Sequence, residues 1–337
     1  MISKTSDSLL EVAVCSESEM TKRQLSSVHG LSIHELEHML HKSCELLDDS
    51  LKLEREVIGG WSNINIRGKT TQLDFILKLP WPRKPDSSYY EYLFSTSNFF
   101  AKLGITAPPI ANGTLSNGLP YIIFEFLEGV TYDMNKKIGE LSEHEVNLLN
   151  QCLRKLHSQK PLVLRSYNSP LDYLLTYRSM VETHQGLSKC SGEISNLIQS
   201  FAEVEESILE YAELLGSWSM TVMHGDFWLP NVVFLQEKAF LLDFEECTFG
   251  EDNYDLARML ESQWEEVDIP PGLLEGYDEP RIEDLRPIAL GWIVWWNFER
   301  LLSMESDLIE PNLNNPEIKQ GIMDYTEVKI KRLKELI

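Results

Sequence analysis

The amino-acid sequence predicts a two-lobed α+β protein, in which a small antiparallel sheet precedes a mostly helical part. Length is the first observation, because 337 residues exceed what one average core fills. The second is a change of hydrophobic period near residue 127, from short segments between glycine turns to helical spacing. We therefore divide the chain into an N-terminal extension with a helix (1–50), a first lobe (51–127) and a helical second lobe (128–337).

The elements before residue 127 follow from spacing and turn signals. A helix is predicted over Ser32–Leu47, with Ser32 as its N-cap and Glu35 completing a capping box. The pair Gly59-Gly60 and the Gly68-Lys69 turn then separate three short strands, and a helix and one compact apolar strand follow. These elements are Leu51–Ile58, Ser62–Arg67 and Leu73–Leu79, the helix Tyr89–Leu103 and the strand Tyr121–Phe126.

The second lobe is predicted to be helical except for one small group of strands. The linker between the lobes is placed at 125–131. The predicted helices are Glu143–Ser158, Pro170–Glu182, Glu193–Leu215, Asp255–Trp264, Pro287–Ser303 and Pro316–Ile337. The predicted strands are Thr221–His224, Val232–Leu235 and Ala239–Asp243.

Charge and cysteine usage narrow the partners and the compartment. Asp and Glu outnumber Lys and Arg by 53 to 30, for a net charge of −23, which argues against nucleic acid as the partner. No segment approaches the ~20 apolar residues of a membrane span. The five cysteines are scattered without a CxxC pair, so we predict neither disulfides nor a zinc site, and a cytoplasmic location. The oligomeric state is not determined by the sequence.

The strongest signal is the segment His-Gly-Asp-Phe-Trp-Leu-Pro-Asn at 224–231, followed by Asp-Phe-Glu at 243–245. An Asp five residues before an Asn, with a second Asp at the end of the next strand, suits phosphoryl transfer. Asp226 would orient the acceptor hydroxyl and take its proton, while Asn231 and Asp243 would bring oxygen ligands to Mg²⁺. Glu245 would assist the metal directly or through water.

This pattern resembles the aminoglycoside phosphotransferase and choline kinase-like family, whose members are similar to protein kinases. The resemblance spans residues 50–300 and implies a protein kinase-like two-lobed fold. That fold has a small antiparallel β-sheet N-lobe with one helix and a mostly helical C-lobe. It further implies ATP and Mg²⁺ as cofactors and a small-molecule hydroxyl as the substrate.

The resemblance assigns nucleotide-binding roles in the first lobe. Ser62 and Asn63, in a Gly-Gly-Trp-Ser-Asn turn, would face the phosphates. Lys78 lies among apolar neighbours in a predicted strand, where it needs an acidic partner, and Glu91 on the following helix is the expected one. Backbone groups from Glu125 to Leu127 would hold the adenine.

Three residues near these motifs are predicted to be structural. His157, in a Leu-His pair at a helix end, and His224 are expected to hold the loop rather than to move protons. Asp255, in the segment Tyr-Asp-Leu-Ala-Arg, is predicted to cap the helix that it begins.

The acceptor is left open between an aminoglycoside, choline or ethanolamine, homoserine, and a vitamin or sugar. Aromatics and carboxylates follow Asp243, a combination that suits an amine or a quaternary ammonium. At least two of Trp292, Trp295 and Trp296 are expected to be core, because they have helical spacing. The remaining residues of this region are Trp264, Phe298, Glu261, Glu265, Glu266, Asp268 and Glu299.

Two other functions compete with this hypothesis. A catalytically silent kinase-fold binding or scaffold protein is disfavoured because Lys78, Glu91, Asp226, Asn231 and Asp243 are all present. A protein Ser/Thr kinase is disfavoured because the chain lacks a Gly-x-Gly-x-x-Gly loop and an Ala-Pro-Glu segment after Asp243.

Overall fold

The structure is a computed structural model. It describes residues 22–24, 27–58, 63–80, 87–132, 136–161, 164–184, 186–190, 192–306 and 316–337. The described cysteines at 44, 152, 190 and 247 are free thiols. Within these ranges, no helix has both the length and the apolar character needed to cross a bilayer.

The first lobe is built on a six-stranded antiparallel sheet of order β1-β4-β5-β6-β8-β7. Its strands are β1 (Lys22–Gln24), β4 (Lys52–Ile58), β5 (Asn63–Lys69), β6 (Asp74–Pro80), β7 (Pro109–Thr114) and β8 (Pro120–Glu125). A small hairpin, β2 (Ser27–Val28) with β3 (Leu31–Ser32), precedes the first helix. The sequence prediction missed β7, which carries the exposed polar residues of an edge strand.

Alternation along β6 decides which side chains reach the second lobe. Phe75, Leu77 and Leu79 pack on one face, where they join the core under α1 (Ile33–Ser43). Lys78 therefore projects from the opposite face. Helix α1 has the predicted capping box of Ser32 and Glu35, and it packs on the sheet rather than lying apart from it.

Helix α2 (Ser87–Lys102) covers the other face of the sheet. Its buried side chains include Tyr90, Leu93 and Phe100, which belong to the same apolar cluster as Ile122 of β8 and the core of the second lobe. The sheet thus has a helix on each face, where one was predicted. The face under α1 forms the core of the first lobe. The face under α2 belongs to the same apolar cluster as the second lobe.

The second lobe is mostly helical, as predicted. The chain enters it through β9 (Val130–Thr131), which pairs with β11. The helices are α3 (Glu143–His157), α4 (Pro170–Glu182), α5 (Gly192–Leu214), α6 (Asp252–Glu261), α7 (Glu279–Glu305) and α8 (Pro316–Leu336). The strands are β10 (Thr221–Met223), β11 (Val232–Leu235), β12 (Lys238–Leu241) and β13 (Thr248–Gly250).

Helix α7 is the centre of this lobe and is longer than predicted. It starts at Glu279 with Asp278 as its N-cap, and Pro287, which was expected to begin it, lies inside it. Proline marks helix starts only statistically, and here dense packing holds the helix on both sides of it. Trp292, Trp295 and Trp296 are all buried in the core, as expected for at least two of them.

We predict that Trp295→Ala lowers the free energy of unfolding by about 3–5 kcal/mol, the usual cost of truncating a buried aromatic side chain. Trp295 is 2% exposed and packs edge-on against Phe201 of α5, with ring centroids 5.0 Å apart. Leu214→Ala is the control, because Leu214 is 85% exposed and should change stability by less than about 0.5 kcal/mol. Urea denaturation measures both, and equal effects would contradict this packing.

Candidate active site

The two halves of the motif meet at one end of a strand pair. Strands β11 and β12 are antiparallel, with Val232 opposite Leu241. The backbone N–H of Leu242 donates to the carbonyl of Asn231 at 2.8 Å. Asn231 and Asp243 therefore come to a common end, as their spacing in the sequence predicted.

The loop that carries Asp226 needs a glycine at 225. Gly225 has a φ of +82°, and an added Cβ would lie 2.4 Å from the carbonyl oxygen of Glu246. Both the left-handed backbone and this close approach exclude an ordinary side chain.

Asp255 anchors the loop of Asp226 through hydrogen bonds to its backbone. Its carboxylate accepts hydrogen bonds from the backbone N–H groups of His224 at 2.7 Å and Gly225 at 2.9 Å. The prediction that Asp255 caps its helix is wrong, because α6 begins at Asp252 with Glu251 at the N-cap position. Asp255 lies one turn further on and is fully buried, so its charge serves the loop instead of the helix end.

Both histidines have structural roles, as predicted. His157 lies between the hydroxyl of Tyr277 and the carboxylate of Asp255, each at 2.9 Å. Burial lowers the pKa of His224, so its ring is neutral at pH 7. The neutral ring donates from Nε2 to the carbonyl of Leu242 at 2.8 Å, which ties the Asp226 loop to the residue before Asp243.

Asp226 is oriented by two side chains. Nδ2 of Asn231 lies 2.9 Å from its carbonyl and 3.3 Å from its Oδ2. Nη2 of Arg258 donates to its Oδ1 at 2.8 Å. The side chain of Asp226 is 20% exposed. Arg258 ends the segment Tyr-Asp-Leu-Ala-Arg, and the sequence predicted no role for it. Its position three residues after Asp255, on the same face of a helix, was the available signal.

Lys78 crosses from the first lobe to the second. Its Nζ is 2.5 Å from Asp243 Oδ1 and 3.6 Å from Glu245 Oε1. Burial acts to lower the pKa of Lys78, but the two carboxylates outweigh it and leave that pKa raised. Burial and the charge of Glu245 act to raise the pKa of Asp243, and Lys78 opposes that rise. Two carboxylates and one ammonium therefore share a buried site.

Asn63 and Tyr89 of the first lobe hold Glu245, and Tyr90 holds Asn63 in turn. Asn63 Nδ2 donates to Glu245 Oε1 at 3.0 Å, and Asn63 Oδ1 accepts from the hydroxyl of Tyr90 at 2.7 Å. The hydroxyl of Tyr89 donates to Glu245 Oε2. In this structure the Asn63 side chain thus bonds to protein groups rather than facing a phosphate. Ser62, its predicted companion, lies outside the described residues.

The expected pairing of Lys78 with Glu91 is wrong. Glu91 is exposed, and the carboxylates at Lys78 are those of Asp243 and Glu245. Each helical residue turns by about 100°, so a helix that directs Tyr89 and Tyr90 inward carries Glu91 round toward solvent.

The predicted adenine-binding segment has one free backbone donor. The N–H groups of Glu125 and Phe126 donate to the carbonyls of Pro108 and Asp74, at 2.9 and 3.1 Å. The N–H of Leu127 has no partner among the described residues. A backbone N–H donor at a strand end is what an adenine ring nitrogen requires.

The donor set suits a hard cation only in part. Within the described ranges, no cluster of three or more His, Cys, Asp or Glu side chains could hold a metal ion. Asn231, Asp243 and Glu245 offer oxygen ligands, and the raised pKa of Asp243 marks crowded negative charge that a cation would relieve. Mg²⁺ takes one or two carboxylates and completes its shell with phosphates and water, so these residues fit a metal that arrives with a nucleotide.

Three of the five carboxylates that suggested a cationic acceptor have basic partners. Glu261 pairs with Arg286 at 2.5 Å, Glu265 with Lys137 at 3.2 Å and Glu266 with Arg332 at 3.3 Å. Glu299 is buried. The sequence could not show this pairing, because the basic partners come from other helices and loops.

The fold and the site together define a kinase-like phosphotransferase. The sequence profile of the phosphotransferase enzyme family, APH, matches residues 54–289. The chain belongs to that family, which confirms the resemblance seen in its motifs. No curated protein matches the chain significantly.

Solved structures agree with this fold. The choline kinase LicA from Streptococcus pneumoniae has a TM-score of 0.60 at 16% identity, covering 90% of this chain and 98% of that one. Spectinomycin phosphotransferase APH(9)-Ia has a TM-score of 0.58 at 12% identity, covering 92% and 100%. An ethanolamine kinase from Plasmodium vivax has a TM-score of 0.57 at 16% identity, covering 86% and 84%. At such identities the likeness establishes the fold alone.

We predict that Asp255→Ala lowers both stability and turnover. It strands two buried N–H groups, each costing about 1–3 kcal/mol, and releases the loop that positions Asp226. Asp255→Asn keeps an acceptor oxygen and should have a smaller effect. Asp268→Ala, at an exposed carboxylate of the same lobe, is the control. Urea denaturation of the three variants tests this, and an Asp255→Ala variant as stable as the control would refute the role.

Proposed function

We propose that this protein transfers the γ-phosphate of ATP to a hydroxyl group of a small molecule. The observation that carries the proposal is the convergence of Asp226, Asn231, Asp243 and Lys78 at the junction of the lobes. Asp226 alone is a half-buried acid on a loop, and Lys78 alone is a buried strand lysine. Together, on a phosphotransferase fold, they supply a base, metal ligands and a phosphate-binding cation.

The nucleotide would bind between the lobes. Its adenine would form hydrogen bonds with the N–H of Leu127 and with backbone groups near Glu125. Its phosphates would extend toward Lys78. Among the solved structures, spectinomycin phosphotransferase is a complex with ADP and spectinomycin, which supports ATP as the donor here. Lys78 would exchange Asp243 for phosphate oxygens when the nucleotide enters.

Mg²⁺, when bound with the nucleotide, would neutralise charge on the phosphates. Asp243 and Asn231 would hold it, with Glu245 assisting. Asn63, Tyr89 and Tyr90 keep Glu245 in place by the hydrogen bonds described above. The first lobe therefore contributes to the metal site through its hold on Glu245.

The reaction needs one proton acceptor. The acceptor hydroxyl oxygen bonds to the γ-phosphorus, the bond from that phosphorus to the β,γ-bridging oxygen breaks, and ADP leaves. The hydroxyl proton passes to Asp226, the carboxylate that Arg258 and Asn231 orient. His224 is buried, neutral and bonded to Leu242, so it does not compete for this role.

An amine-bearing acceptor is the finer candidate. The names of the similar structures, which are kinases for choline and ethanolamine and a phosphotransferase for spectinomycin, support it. The pairing of Glu261, Glu265 and Glu266 with basic residues weakens the local charge argument for it. The cytoplasmic location stays a prediction from cysteine usage.

We predict that Asp226→Asn lowers kcat by about 10²–10⁴, the usual cost of losing a general base. Affinity for a non-hydrolysable ATP analogue should change little, because Asp226 faces the acceptor. The measurement is ADP release with a panel of amino alcohols, aminoglycosides and sugars, followed by calorimetry with the analogue.

Asp268→Asn is the charge-matched control for this variant and should keep full turnover. An Asp226→Asn variant that turns over like the wild type would remove Asp226 from the mechanism. A wild-type protein that binds the analogue with Mg²⁺ but phosphorylates no acceptor would favour the silent binding protein instead.

A further inference from the structure

Aromatic rings surround the position beside Asp226. Trp228 follows Asp226 by two residues in the loop, and Trp292 comes from α7. The Trp292 ring stacks on Trp296 with centroids 5.8 Å apart and planes within 13°, and the Tyr177 ring meets both edge-on. Rings beside a carboxylate make a surface that binds cations.

This chain fills that position with a cation of its own. The guanidinium carbon of Arg258 lies 4.7 Å from the ring centre of Trp292 and 5.9 Å from that of Trp228. Arg258 is 6% exposed. Its Nη2 binds Asp226, while its buried Nε and Nη1 have no hydrogen-bond partner among the described residues. Ring faces therefore hold much of this guanidinium.

The ion pair changes what Asp226 offers to an incoming ligand. Asp226 and Arg258 are 2.8 Å apart, so together they carry no net charge. Glu246 is the carboxylate bonded to Tyr177 at the other side of the rings, through the Tyr177 hydroxyl. The charge of Glu246 acts on Arg165, whose pKa stays raised despite burial. Asp226 thus already has a cation.

We propose that Arg258 is a specificity-determining residue, which excludes acceptors whose ammonium group lies two carbons from the reacting hydroxyl. When a hydroxyl makes a hydrogen bond to Asp226, about 3 Å away, an ammonium two carbons further on stays close to the guanidinium that pairs with the same carboxylate, and the two cations repel each other. The acceptor therefore carries neutral or anionic groups next to its hydroxyl, and an amine only at a distance. This inference rests on the proposed role of Asp226, and it separates large polyols from short amino alcohols such as choline and ethanolamine.

The first experiment measures ammonium binding without any turnover. Tetramethylammonium chloride is titrated into the wild type, Arg258→Ala and Arg258→Lys, with NaCl at equal ionic strength as the salt control. Saturation-transfer NMR on the methyl signal measures its affinity. Arg258→Ala should bind at least about tenfold more tightly than the wild type, as expected when a ring-lined cation site is vacated. Arg258→Lys keeps a cation and should bind like the wild type.

Two results would overturn the inference. One is a wild type that binds tetramethylammonium as tightly as Arg258→Ala does, which would show that the guanidinium does not fill the site. The other is an Arg258→Ala variant that folds, by circular dichroism, and gains no affinity. If Arg258→Ala does not fold, Arg258→Gln replaces it, because Gln keeps a donor for Asp226 and is shorter and uncharged.

A second experiment compares two matched acceptors in the wild type. Choline and its uncharged isostere 3,3-dimethylbutan-1-ol differ only in replacing the ammonium nitrogen by carbon. The inference predicts that the isostere is phosphorylated at least as efficiently, and a kcat/KM for choline ten times higher would overturn it. The binding experiment needs no phosphoryl transfer. Inactivity toward every acceptor would therefore count against the proposed function, and the binding result would still decide the role of Arg258.

Discussion

The buried ion pair between Lys78 and Asp243 is the interaction on which the rest of the site depends. A lysine inside a sheet is stable only with an acidic partner, and here that partner comes from the other lobe. Glu245 adds a second carboxylate, which Asn63 and Tyr89 hold from the first lobe. The lobes are therefore joined through the groups that a metal-nucleotide complex would use, so its binding must replace bonds that hold the protein together.

A second constraint keeps the catalytic loop at that junction. Asp255 accepts two backbone N–H bonds from the loop and one bond from His157. Asp243 itself has a φ of 64°, a conformation that non-glycine residues seldom adopt. Such backbone strain persists only where the surroundings impose it. The ion pair, the His224 bond to Leu242 and the bond between Leu242 and Asn231 impose it here.

Local patterns in the sequence predicted the parts of the site that depend on spacing along the chain. The common end of Asn231 and Asp243 followed from such spacing, and the structural roles of His157 and His224 followed from the motifs in which they lie. The rotation of α2 about its axis could not be predicted in this way. Tyr89, Tyr90 and Glu91 are adjacent, and only tertiary packing decides which of them faces Lys78. The pairing of Asp226 with Arg258 joins a loop to a helix, so its one signal in the sequence was the position of Arg258 three residues after Asp255. The bonds of Asp255 also join a helix to that loop, which is why the sequence predicted only a local helix cap.

The most direct test is whether nucleotide binding depends on Mg²⁺ through Asp243. Calorimetry with a non-hydrolysable ATP analogue, in Mg²⁺ and in EDTA, compares the wild type with Asp243→Asn and the exposed charge control Asp268→Asn. We expect Mg²⁺ to raise affinity by about tenfold or more, or about 1.4 kcal/mol, in the wild type and the control, and to have no effect in Asp243→Asn. An equal Mg²⁺ effect in all three proteins would contradict the account.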